Sequence, residues 1–173
     1  HKPDATSAAI DGDGWFHTGD IGELDNDSCL RITDRKKDLI KTSGGKYVAP
    51  QPIEGMVKLN RYFTNAVMLG DKRKFPIMLL VPNFKAVSEW LARQGPQHPN
   101  EDLAAVPGVR EKLEREARKS LRDLAQFETP KKFLLIPHDF TIESGELTPT
   151  LKVRRKVVEE HYRDQIEALY TEL

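Results

Sequence analysis

TDRKKDLIKTSGGKYVAPQPIE, residues Thr33 to Glu54, is the stretch that decides the fold. Its basic residues crowd around a Gly-Gly pair and then give way to an apolar, proline-bearing run. LIKT and KYVA flank Ser43-Gly44-Gly45, which predicts a β-hairpin, because glycine supplies the positive φ that would strain other residues in a tight turn. Pro50 and Pro52 suit the first turn of a helix, where a missing N–H costs little, so a short helix is expected over QPIEGMVKLN. Lysines beside a glycine turn suggest a nearby phosphate, yet the sequence contains no full phosphate-cradling loop.

Upstream, DGDGW is a turn signal, and WFHTGDIGEL and CLRI read as short strands around the DNDS turn. This zone, His1 to about Thr33, is too small to bury a core and is expected to belong to a larger body. Downstream, NAVMLG and FPIMLLVP are apolar runs of strand length joined by DKRK. FKAVSEWLARQ predicts a helix closed by Gly95-Pro96, and QHPNEDLAAVPG a loop or insertion. Val109, Leu113, Ala117, Leu121 and Leu124 recur at helical spacing in a charged segment, so that helix lays one stripe on a core. KKFLLIP reads as another strand. Val153, Val157, Val158, Tyr162, Ile166, Leu169 and Tyr170 are expected on one face of a last helix. Strands and helices mixed in this order predict a small α+β sandwich.

Composition narrows the function. The 173 residues hold 27 Lys+Arg and 27 Asp+Glu, for a formal net charge of zero, which argues against a protein that coats nucleic acid. One cysteine excludes an internal disulfide framework and fits a reducing compartment. No apolar run approaches the roughly 18 residues of a membrane span. No signal peptide is visible, and an opening on His1 reads as a piece cut from a longer protein.

Four stretches could carry chemistry. In FHTGD, Asp20 beside Gly19 could accept a ligand's hydroxyls, but from these residues alone an Asx-type turn, with Asp20 bonding its own backbone, is the preferred reading. In DRKKD, Arg35 could grip phosphate or sugar oxygens in two prongs, or belong to a solvated charged turn. In TSGGK, Gly44 and Gly45 allow close backbone approach to a ligand while Lys46 adds charge; a plain hairpin is the alternative. In ESGELTPTLKVRRK, Lys152 follows Pro149 on a reachable loop, where its ammonium could neutralise charge building on a carboxylate and phosphate during their reaction. A surface lysine at a helix start is the commoner case. His17, His98, His138 and His161 lack metal-ligand spacing, so no metal site is expected.

In their order, GWFHTGD, then DRKKDLIKTSGGKYVAPQPIE, then LTPTLKVRR ahead of a last helix resemble the C-terminal part of the adenylate-forming enzymes. These are the acyl-CoA synthetases, luciferases and peptide-synthetase adenylation domains. The resemblance covers essentially the whole chain, and DRKKDLIKTSGGKYVAPQPIE and LTPTLK are most similar to bacterial long-chain fatty acid-CoA ligases. It implies that residues 1–35 are the tail of a large N-terminal adenylation domain and 36–173 a small, mobile C-terminal domain with a β-hairpin and a short sheet packed by helices.

The same resemblance implies roles. Asp20 and Arg35 match residues that hold the ATP ribose, Lys37 the hinge, and Gly44 and Gly45 the hairpin that lines the CoA channel. Lys46 matches a basic residue facing nucleotide phosphate, and Lys152 the catalytic lysine of adenylation. Implied substrates are ATP with Mg2+, a fatty acid and CoA; the implied partner is the chain's own N-terminal domain, with no nucleic acid. The implied location is cytoplasmic, with peripheral contact at the inner membrane face left open. The isolated piece is expected to be inactive. A medium-chain or aryl-CoA ligase, or a non-catalytic anion- or protein-binding module, are the alternatives. Two departures stand out. Thr150-Leu151-Lys152 replaces a common Ser-Gly-Lys, and DNDSCL lacks the usual glycine-aromatic pair.

Overall fold

The computed structural model describes residues 2–94, 106 and 108–171. The centre is a three-stranded sheet of order β5-β6-β7, from β5 (Phe63–Leu69), β6 (Ile77–Pro82) and β7 (Lys132–Leu135). β5 and β6 pair antiparallel, with Val67 opposite Leu79, while β6 and β7 run parallel. A parallel pair needs a crossover, and the helices α3 (Phe84–Ala92) and α4 (Val109–Ser120) lie in the chain between β6 and β7.

Every residue of β6 is buried, as a central strand covered on both faces should be. Alternation then sorts the strands into two cores. Ala66, Met68, Met78, Leu80, Phe133 and Leu135 meet Ile53 and Val57 of α2 (Pro50–Lys58), together with Val87, Leu113 and Ala117. Val67, Leu69, Ile77, Leu79 and Val81 meet Val158 of α5 (Arg155–His161) and Ile166 of α6 (Arg163–Thr171). This is the expected α+β sandwich.

Ahead of it stand α1 (Pro3–Ala9) and a hairpin of β1 (Asp20–Leu24) with β2 (Leu30–Arg35). Among the described residues no apolar side chain before Ile40 is buried, and Trp15, Phe16, Leu24 and Leu30 are exposed. Asp34 stitches this hairpin to the rest: it is buried, and its carboxylate accepts the Gln51 N–H at 3.2 Å near the start of α2. The DNDSCL turn manages without glycine. Ser28 takes φ +62°, and the Asp25 carboxylate accepts the N–H groups of Asp27 at 3.0 Å and Cys29 at 2.8 Å.

Three expectations need correction. The final segment is two helices broken at Tyr162, and Val153 precedes both, bridged to Leu147. α4 ends at Ser120, so Leu121 and Leu124 pack from the turn beyond it. Helix α1 was not anticipated; it buries no residue, so no apolar stripe announced it. The expected stop at Gly95-Pro96 and the QHPNEDLAAVPG loop lie outside the described residues, except Val106 and Gly108.

Candidate active site

The hairpin of β3 (Ile40–Lys41) and β4 (Tyr47–Val48) delivers α2 onto the sheet, and the chain before it leaves a 3-10 turn, Lys36–Asp38, beside the N-terminus of α2. Across from this turn, the segment before α5 closes a cleft of about 570 Å³. Arg35, Lys37, Lys58, Lys152 and Arg155 line it, against only Asp38 and Glu54 among acids. Five cations facing two carboxylates, in a chain of zero net charge, give a cleft that concentrates anions.

These cations are of two kinds, and Arg35, paired with Asp20, belongs with the committed ones. Arg155 is committed: its guanidinium pairs with Glu54, and its Nε donates to the Met68 carbonyl at 3.2 Å. Glu54 is itself buried and accepts the Met68 N–H at 2.7 Å, so Arg155 ties α5 to α2 and β5 together. The ammoniums of Lys37, Lys58 and Lys152, by contrast, have no hydrogen bond or ion pair among the described residues. They are free to meet an incoming anion.

Lys152 sits on a tight turn. The Thr148 N–H donates to the Lys152 carbonyl at 2.8 Å, the Leu151 N–H to the Thr148 carbonyl at 2.8 Å, and the Lys152 N–H to Thr148 Oγ1 at 3.0 Å. Leu151 holds φ +60°, a conformation that typically costs an L-residue about 1–2 kcal/mol. Behind the turn, Glu146 is 1% exposed and accepts the Ser144 hydroxyl at 2.8 Å and the Tyr162 hydroxyl at 3.3 Å. Burial alone would raise the Glu146 carboxyl; bonds from Ser144, His161 and Tyr162 outweigh that and lower it. Glu146 is therefore ionised, which makes His161 Nδ1, 3.2 Å away, the proton donor.

Asp20 and Arg35, proposed separately from sequence, are register partners in β1 and β2, with Arg35 Nε 2.7 Å from Asp20 Oδ1. The preferred Asx-type reading of Asp20 does not hold: its carboxylate takes Arg35, while its N–H donates to Thr18 Oγ1 at 3.1 Å. Arg35, Lys37 and Lys152 thus meet at one cleft, with Asp20 holding Arg35.

Gly44, Gly45 and Lys46 are elsewhere. Gly45 turns the hairpin at φ +79°. The hairpin is fastened to the β5–β6 connection: the Ser43 N–H donates to the Arg73 carbonyl at 2.8 Å and the Lys72 N–H to the Lys41 carbonyl at 2.7 Å. Lys46 lies over the Phe127 ring at 5.7 Å. None of the three lines the Lys152 cleft. Among the described residues no three His, Cys, Asp or Glu side chains converge.

Sequence reasoning missed Asp34, Glu54, Glu146 and Leu151. Glu54 and Glu146 stood inside the quoted motifs, and a carboxylate within an apolar run such as PIEGMV was the available signal.

Residues 37–173 match the family model described as the AMP-binding enzyme C-terminal domain. Long-chain-fatty-acid-CoA ligase FadD15 of Mycobacterium tuberculosis is 39% identical over 160 residues, 91% of this chain and 27% of that protein. Human long-chain-fatty-acid-CoA ligase 1 is 33% identical over 172 residues, 98% of this chain and 25% of that protein. The chain therefore spans about a quarter of the length of the curated relatives it matches. The adenylation domain of a carboxylic acid reductase from Segniliparus rugosus, in complex with AMP and a co-purified carboxylic acid, superposes with a TM-score of 0.80 at 25% identity. That match covers 98% of this chain and 25% of that one. The adenylation and carrier didomain of a carboxylic acid reductase from that organism, in complex with AMP, gives a TM-score of 0.77 at 29% identity, covering 98% of this chain and 22% of that one.

Proposed function

The chain belongs to the C-terminal domain family of AMP-binding enzymes, and from that premise we propose that it serves a long-chain fatty acid-CoA ligase. The parent would convert ATP, a fatty acid and CoA to acyl-CoA, AMP and pyrophosphate. Residues 1–35 would end a large adenylation domain, and residues from 36 on would form the small mobile one. The observation that carries the reading is the cleft in which Arg35, Lys37 and Lys152 meet, with Lys152 uncommitted.

In the first half-reaction a fatty carboxylate oxygen attacks the α-phosphorus of ATP, and the bond to pyrophosphate breaks. Negative charge gathers on the α-phosphate and carboxylate oxygens, and Lys152 answers it with a compact charge on a fixed turn. Asp20 and Arg35, paired in register, would together face the ribose. In the second half-reaction the domain swings about Lys37, a hinge motion. The Gly44-Gly45 turn then reaches the site, lining the channel along which the CoA thiol attacks the acyl carbon and AMP leaves. Lys46 travels with that turn and would face nucleotide phosphate.

Lys152→Ala tests this in the full-length enzyme. Adenylation should fall by about 10²–10³, while thioester formation from supplied acyl-adenylate stays near wild type. Lys152→Arg should rescue poorly, because a wide planar fork does not replace a point charge. Adenylation by Lys152→Ala at near wild-type rate would remove the lysine from the mechanism.

A further inference from the structure

Leu151 is left without a purpose by everything above. Among the described residues it is one of three non-glycine positions in the left-handed region, where a Cβ crowds the backbone and an apolar side chain offers no local hydrogen bond in return. A turn that only had to display Lys152 would be better served there by glycine or asparagine. Leu151 is 69% exposed and lines the same cleft as Lys152. Most of that lining is charged or polar, so the free domain gives Leu151 little apolar surface to cover.

We propose that Leu151 is a specificity residue that lies on the aliphatic stem of the carboxylic acid whose carboxylate Lys152 meets. The inference rests on the Lys152 reading above. Leu151 and Lys152 are adjacent in the chain and line one cleft, so an acid whose carboxylate meets the ammonium enters the space that Leu151 also borders. In an aliphatic acid the apolar surface nearest the carboxylate is fixed by covalent connection, beginning at the second carbon. Covering it removes both surfaces from water. The strained backbone at Leu151 is then kept because it aims an apolar group and a cation into one cleft from adjacent residues.

The test compares wild type, Leu151→Asn and Leu151→Met in the full-length enzyme carrying this chain, with hexadecanoate and its 3-oxa analogue, read as pyrophosphate release. The analogue keeps the chain length and puts a polar atom near the carboxyl. Asparagine tolerates the left-handed backbone and so separates apolarity from folding. Leu151→Asn should raise the hexadecanoate KM by about tenfold, leave the ATP KM unchanged, and erase most of the preference for hexadecanoate over the analogue. Leu151→Met should keep that preference. Equal losses on both acids would seat Leu151 on the large domain instead and overturn the proposal, as would wild-type kinetics in Leu151→Asn. Lys152→Ala reports separately on the lysine, through the rate of adenylation rather than the choice of acid, so the two readings fail independently.

Discussion

Glu146→Ala should loosen the turn that carries Lys152, and its partners set the size of the loss. The Glu146 side chain is 1% exposed, and its carboxylate receives Ser144, His161 and Tyr162. Its carbonyl accepts the Arg154 N–H at 2.7 Å, closing the strand-like pair that returns the chain from Lys152. Hydrogen bonds to a charged group contribute about 1.5–3 kcal/mol each, but the three are not equally exposed to loss. Ser144 keeps its bonds to Thr141, and His161 is half in water. Tyr162 keeps His138 Nε2 at 3.1 Å. What remains is roughly one charged bond plus the lost packing of a buried side chain, about 3 kcal/mol. For 150–250 residues that lowers Tm by about 6–12 °C. Glu146→Gln keeps the shape but sets an NH2 group against donors, so about half of that loss is expected. Far-UV circular dichroism melts of the 173-residue chain at pH 7 would read both. An alanine variant that melts within about 1 °C of wild type would refute the anchor.

Lys37→Pro in the full-length enzyme should spare adenylation and block thioester formation, because proline holds φ near −65° where a swing needs a free dihedral; equal loss of both half-reactions, measured separately, would mean misfolding or a misplaced hinge. Acid should weaken the packing of α4 against the Asn60 turn. Burial would raise the Glu116 carboxyl, but bonds from Lys119, Lys112 and Asn60 hold it down to about 2 from 4.5. A depressed carboxyl adds stability that is complete above 4.5 and lost as pH falls toward 2. Denaturant midpoints for wild type should therefore drop through that window, and Glu116→Gln should flatten the drop.

Much of this fold was legible because the sequence states it locally. The Gly44-Gly45 turn, Pro50 at the start of α2 and the continuous apolar runs of β5 and β6 each need only their own neighbours. The break at Tyr162 was not legible. Val158, Tyr162 and Ile166 recur every four residues, which drifts about 40° per step on a straight α-helix. The chain ends one helix and starts another at Tyr162, so all three reach the same core. The site divides in the same way. Lys152 and Arg35 could be found because their motifs are compact. Asp34, Glu54 and Glu146 act on Gln51, on Met68 and Arg155, and on Tyr162, partners 14 or more residues away, and no local pattern reports such a pairing. Leu151 hides for another reason. Its left-handed φ comes from the bonds that close Thr148 on Lys152, while leucine itself carries no preference for that region.

The arrangement also bears on why a hinge is needed. The Lys152 cleft takes Asn65 and Ala66, at the beginning of β5, into its lining. The Gly44-Gly45 turn is fastened to Lys72 and Arg73, beyond the end of the same strand. From Ala66 to Leu69 the strand advances about 10 Å, and the β5–β6 connection lies further still. From Ala66 to Leu69 the strand is buried on both faces and paired residue by residue with β6, so the separation cannot be closed by bending. Reacting atoms must approach to about 3–3.5 Å. If Lys152 and the hairpin act on one acyl carboxyl, they therefore cannot do so in a single orientation of the domain. Either the domain turns about a point outside the sheet, and the Lys36–Asp38 turn at the edge of the cleft is such a point, or one of the two features has no part in the chemistry. Separate assays of the two half-reactions on Lys152→Ala and Lys37→Pro decide between these. A swinging domain makes the first variant fail only in adenylation and the second only in thioester formation, and a static one cannot give that crossed pattern.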